Sequence, residues 1–129
     1  SGGTASDIKA IQVIIAGTNE DDDAITETLP VFTVNTATTV TGAKAFKTVT
    51  SITIPAHDGT GATTAIGVGA ALGLPRKLGR NTVLNAFLAN VKEGTAPTVT
   101  VSATVLESNT VSLNSALNGT EVIVDFYAS

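Results

Sequence analysis

Residues 97–127 read PTVTVSATVLESNTVSLNSALNGTEVIVDFY, and this stretch decides the fold class. Its first third alternates Val with Thr or Ser at period two, the spacing that sends successive side chains to opposite faces of a strand. TVSLNSAL (110–117) keeps the same composition, Asn118-Gly119 supplies a turn, and EVIVDFY (121–127) resumes the alternation. An Asn-Gly pair between alternating runs is a strong hairpin signal, because a type I′ turn needs positive φ at both central positions. The expectation is a terminal hairpin of 110–117 with 121–127, its register set by Gly119.

The rest of the chain carries the same signature. Thr occupies 22 of 129 positions, and a β-branched side chain, stiff at χ1, favours strands over helices. IKAIQVIIA (8–16) reads as a mostly buried strand with Ile11, Val13 and Ile15 on one face. AITETLPVFTV (24–34) follows a polar stretch, so the two form a hairpin with the charged tip Asn19-Glu20-Asp21-Asp22-Asp23. Pro30 cannot donate to a ladder and marks a bulge, an edge or a break. In TTVTGAKAFKTVTSITI (38–54), Gly42 divides a short piece from a longer strand, and Pro55-Ala56-His57-Asp58-Gly59 turns the chain. NTVLNAFLANVKEG (81–94) fits two readings: Leu84, Phe87, Leu88 and Val91 make a helical stripe capped by Asn81 and Gly94, while Val83, Phe87 and Val91 suit a strand. Its β neighbours favour strand. The fold class is all-β, a single antiparallel β-sandwich domain over 1–129, Ig-like or jelly-roll-like, with little or no helix. Residues 1–6 are small and polar, without the layout of a signal peptide, and are expected to be a flexible lead-in.

Composition removes several chemistries. The chain has no Cys, Met or Trp and one histidine, which excludes thiol catalysis, iron–sulfur and cysteine–zinc sites, and disulfides. A net charge of −4 disfavours nucleic acid as a partner. Apolar runs are too short to cross a bilayer, so no membrane is expected. Contiguous acids at 20–23 invite a hard cation, yet they project in different directions and lack the alternate spacing and Gly of a calcium loop, so a solvated tip is expected. His57-Asp58 lies in a Pro/Gly turn, where a base and its orienting carboxylate rarely align, and no GxSxG elbow accompanies it. Gly67, Gly69 and Gly73 miss the dinucleotide spacing and precede no helix-and-acid pattern. No catalytic residue, cofactor or metal is therefore expected.

The segment that chemistry leaves unexplained is GTGATTAIGVGAALGLP (59–75), with five glycines and no charge. Structureless loops of this length are usually functional or disordered, and its apolar content argues against disorder. Ile66, Val68, Leu72 and Leu74, rimmed by Arg76, Lys77 and Arg80, are the candidate interface, on the ground that apolar patches left exposed mark contact sites.

Several phrases together resemble a family. IIAGTNEDDDAITETL (14–29), KAFKTVTSITI (44–54), AIGVGAALGLP (65–75) and NTVSLNSALNGTEVIVDFYA (109–128) are similar to recurrent stretches of small β-rich virion structural proteins of tailed bacteriophages. The likeness covers most of residues 11–127. It implies a non-enzymatic, virion-located component, foremost a capsid decoration protein, that self-associates as a homo-oligomer such as a trimer and binds the major capsid or another virion protein. It carries over no functional residue, because its motifs are structural; Pro30 and the three consecutive Asp depart from the plainer form. The competing class is a carbohydrate-binding or adhesion module, which presents aromatic platforms to sugars. Phe32, Phe46, Phe87, Phe126 and Tyr127 are the only aromatics, and they sit in strand-like runs.

Without a ligand set at metal spacing, thermal melts in EDTA and in excess calcium are expected to superimpose. A midpoint raised many degrees by calcium would make Asp21, Asp22 and Asp23 ligands.

Overall fold

The structure, a computed structural model, describes residues 1–129. The chain is all-β, with antiparallel pairing throughout and only two single 3₁₀ turns, Ala5–Asp7 and Leu106–Ser108. Where one sandwich domain is expected, the strands are shared among four small sheets and the chain gathers into two compact units. One comprises Ser1–Thr18, Asp22–Ala43 and Lys47–Gly69; the other comprises Asn19–Asp21, Lys44–Phe46 and Ala70–Ser129.

The first unit contains β1 (Gly2–Gly3), β2 (Ile14–Thr18), β3 (Ala24–Thr28), β4 (Thr48–Thr53) and β5 (Ala62–Thr63). The expected hairpin with the acidic tip is present: Ile14 pairs with Thr28 through to Thr18 with Ala24. The Asn19 side-chain oxygen accepts the Asp21 N–H at 3.0 Å, an Asx turn that starts the reversal, and Asp22 takes φ 65° to complete it. β4 lies on the other side of β2, giving the order β3-β2-β4. Ala16 pairs with Ser51 but Gly17 with Val49, so Thr50 is a bulge residue, and its hydroxyl donates to the Ala16 carbonyl at 3.1 Å. The strand expected from residue 8 begins its ladder only at Ile14. Before it, single bonds continue the pairing irregularly, Leu29 N–H to Val13 O and Phe32 N–H to Ile11 O. Ile8, Val13, Leu29 and Phe32 form the core there, with Ile11, Ile15, Val40 and Ala62 around them.

The N-terminal residues, expected as a flexible lead-in, are tied down. Gly2–Gly3 pairs with Ala62–Thr63, the Thr4 N–H reaches Gly61 O at 2.8 Å, and the Asp7 carboxylate accepts the Gly61 N–H at 2.8 Å. The approach is so close that a Cβ on Gly61 would lie 2.3 Å from Thr4 Oγ1, and Gly59 adopts φ +74° beside the same carboxylate. The glycines at 59 and 61 thus serve contact within the chain.

The second unit holds β6 (Leu72–Gly73), β7 (Val83–Leu88), β8 (Val91–Lys92), β9 (Thr98–Thr100), β10 (Thr110–Ser112) and β11 (Val122–Phe126). Its sheets run β6-β10-β9 and β11-β7-β8. Residues 81–94 resolve as strands, because β7 and β8 are joined by a two-residue turn in which Ala89 and Asn90 have φ 50° and 64°, type I′ geometry matched to strand twist. The expected terminal hairpin of 110–117 with 121–127 is absent. β11 pairs with β7, Val122 opposite Leu88 through Phe126 opposite Val83. Both edges of β10 are already taken by β6 and β9, which leaves β11 no place beside it. Asn118-Gly119 still turns the chain, with Gly119 at φ +81° and the Asn118 oxygen accepting from Thr120, but inside a loop between sheets. Leu74, Leu78 and Val111 form the core with side chains of both sheets, among them Leu72, Val99, Val83, Val124 and Phe126.

Asn109, fully buried, organises this unit. Its side-chain oxygen accepts the N–H groups of Leu78 (3.1 Å) and Ser102 (2.8 Å). Its amide nitrogen faces the carbonyls of Ser102, Val105 and Leu106 at 2.8–3.1 Å. These groups lie outside the ladders. The 3₁₀ turn also bonds the Val105 and Leu106 carbonyls, so the Leu78 and Ser102 N–H groups and the Ser102 carbonyl are the ones left without a partner when the side chain is lost, at a cost of about 1–3 kcal/mol for a buried group. Asn109→Leu, with the same branching of heavy atoms but unable to bond, is expected to destabilise the protein by about 3 kcal/mol or more, read as a lowered midpoint in urea unfolding; a loss under about 1 kcal/mol would mean water replaces the amide.

Candidate functional site

The candidate interface residues differ in exposure. Val68 is fully exposed and Ile66 is 44% exposed, whereas Leu74 is buried in the core of the second unit and Leu72 is half-buried against it. The physical reason is β6: once Leu72–Gly73 joins β10, the chain on either side is committed, and Leu74 enters the cluster with Leu78, a residue the sequence reading passed over. Gly73 serves the same packing, since a Cβ there would lie 2.7 Å from that of Ala45. The apolar segment is therefore divided, residues 65–71 being turned to solvent and Leu74 to the core. Arg76, Lys77 and Arg80 are exposed as expected, and the Arg80 guanidinium lies 6.0 Å from the Tyr127 ring.

His57 is a structural residue in this geometry. Nδ1 accepts the Lys9 backbone N–H at 3.1 Å, so the ring hydrogen sits on Nε2, which donates to Thr64 Oγ1 at 3.1 Å. A general base acting on Thr64 needs the opposite arrangement, a free Nε2 lone pair and a carboxylate on Nδ1. Asp58 instead faces Lys9 Nζ at 3.7 Å. The ring also lies against Phe32, centroids 6.0 Å apart, and so links residues 8–9 to the loop that follows Pro55.

At the acidic tip Asp22 pairs with Lys47 at 2.8 Å, and Asn19 is buried. No group of three or more acidic or histidine side chains is gathered as a metal site. Sequence reasoning missed Glu107. It is 9% exposed, forms an ion pair with Lys44 at 3.3 Å, and its carbonyl accepts the Ala45 N–H at 2.8 Å. A hydrogen bond from its own backbone N–H is the main influence holding its carboxyl below the ordinary 4.5, with Lys44 and Asn19 adding to it against the opposing effect of burial. An acid between Leu106 and Ser108 gives no local sign of burial, and its ion-pair partner Lys44 lies 63 positions away in sequence.

No known protein family, curated protein or solved structure matches this chain. Its helical content also leaves no helix long and apolar enough to cross a membrane.

Because Glu107 binds its proton less tightly folded than unfolded, its contribution to stability is present above about pH 4.5 and disappears as pH falls through the lower folded value. Glu107→Gln removes that component. Urea unfolding between about pH 6 and pH 3 should show the parent losing more stability than the Gln variant; parallel losses would mean that folding leaves the affinity of the Glu107 carboxyl for its proton unchanged.

Proposed function

We propose that the chain is a non-enzymatic structural protein of a tailed-bacteriophage virion, a capsid decoration protein that acts as a homo-oligomer on the head surface through apolar Gly-rich and strand-edge contacts. The observation that carries this reading is the exposed, charge-free run at 65–71, in which Val68 touches nothing of its own chain's core. Val49, Leu84 and Val91 add large apolar side chains more than half exposed, and surface of that kind fits a protein that works in contact with others. The resemblance of residues 14–29, 44–54, 65–75 and 109–128 to virion proteins supplies the biological setting. Short strands held by side-chain-to-backbone bonds suit a coat component, whose task is to persist.

A carbohydrate-binding role draws less support. Phe32 is buried, Phe46, Phe87 and Phe126 are half-buried, and Tyr127 is the one exposed aromatic ring, which leaves no platform on which a sugar would stack. Mass spectrometry of gradient-purified particles from cells carrying the gene and its neighbours, followed by cryo-electron microscopy, tests the proposal. The expected result is the protein at high copy number on the head. Its absence from particles, together with retention on a glycan array, would replace this reading with the adhesion one.

A further inference from the structure

We infer that copies of this chain join by strand donation, the segment 65–69 of one copy lying along the free edge of β4 in the next. The inference rests on the self-association in that reading and names its contact, and it is tested on the isolated protein, so that its failure leaves the virion assignment to be judged separately.

The acceptor is an unguarded strand edge. β4 is the outer strand of the order β3-β2-β4, all six of its residues are exposed, and residues 48–54 carry no charge. Natural sheets blunt such edges with charge, proline or a covering loop. The opposite edge shows the device: Glu27 places a carboxylate in β3, which accepts the Ala43 N–H at 2.6 Å, and the chain at Gly42 lies so close that a Cβ there would meet that carboxylate at 2.5 Å. On β4, Lys47 and Pro55 stand only at the two ends. The bulge at Thr50 places Val49 opposite Gly17 and Ile52 opposite Ile15, so both fall on the face that Ile15 shares with the core, extending it past its rim.

The donor is an unpaired backbone. Residues 65–69 are all exposed, belong to no strand and take part in no backbone hydrogen bond within the chain. A Cβ on Gly67 would meet nothing within 4 Å. In an extended conformation Ile66 and Val68 share one face, the pattern that would rest on Val49 and Ile52.

Charge selects a second copy as the occupant and antiparallel as the direction. The Thr48 end of β4 lies beside Thr18, where the acidic tip begins. Glu20 and Asp21 make no ion pair, and neither do Arg76 and Lys77, which follow the donor segment in sequence. Antiparallel docking carries the donor's C-terminal end, from which the chain leads on to Arg76 and Lys77, toward the acidic end of the acceptor; parallel docking carries that end away. Donor and acceptor are different surfaces, so the contact is head-to-tail and continues into a ring or a stack.

The absence of native cysteine permits a direct test. Val68→Cys chains mixed with Ile52→Cys or Val49→Cys chains of different tag length should give disulfide-linked heterodimers on mild oxidation, several-fold above Val68→Cys alone or mixed with Leu84→Cys. Equal yields in all mixtures would overturn the inference. Val68→Asp, at a position without core contacts, should keep the parent's circular dichroism and melting while weakening self-association about tenfold or more by sedimentation. A parent that sediments as a monomer at about 100 µM, or a Val68→Asp chain that associates as well as the parent, would also overturn it.

Discussion

The buried carboxamide of Asn109 is the contact on which the second unit depends. It offers one acceptor and two N–H donors, and around it lie two amide N–H groups and three carbonyls from three separate stretches of backbone outside the ladders. A side-chain amide is the chemical copy of a peptide group, so it stands in for the neighbouring strand that those stretches lack. Aspartate would supply the acceptor without the donors, and leucine would fill the volume with neither. The residue's own backbone takes part as well, its N–H going to Leu106 O and its carbonyl accepting the Leu74 N–H at 2.8 Å. Leu74 and Leu78 are thereby drawn into the apolar cluster, and the burial of that cluster follows from the polar anchor beside it.

The first unit meets the same constraint with different groups. Its ladders are at most six residues long, and much of its chain runs outside them, at 4–13, 29–43 and 54–61. There the Asp7 carboxylate and the His57 imidazole act as the fixed acceptors, taking the Gly61 and Lys9 N–H groups. Gln12 adds a donor to the Leu29 carbonyl at 3.1 Å. A chain rich in Thr, Gly, Asn and Ser buries little apolar surface per residue, and it compensates by satisfying backbone groups wherever a ladder stops.

The surface follows from the same composition. With few charges to cover it, apolar side chains such as Val68, Val91 and Leu84 stay in water, and two clusters, the acidic tip at 20–23 and the basic turn at 76–80, hold a good part of the charge there is. The functional reading and the strand-donation inference both draw on this division. A free edge and a free strand on one chain are a liability in a solitary protein and a means of assembly in one that works in many copies.

The all-β class was legible in the sequence, because β-branching and period-two alternation act through each residue's own sterics and its nearest neighbours. The hairpin around 20–23 was legible for the same reason, and the strands at 83–88 and 91–92 only with the help of their surroundings. What tertiary structure alone decided was which edge each strand meets and which apolar side chains find cover. EVIVDFY is equally suited to pair with β10 or β7, and it pairs with β7 because β10 has no edge left. Ile66, Val68, Leu72 and Leu74 are alike in composition and spacing, and β6 separates them by joining β10, turning Leu74 into the core and leaving Val68 in water. The burial of Asn109 and Glu107 was hidden for a kindred reason: a polar side chain is held in the interior by partners far along the chain, and no local pattern encodes them.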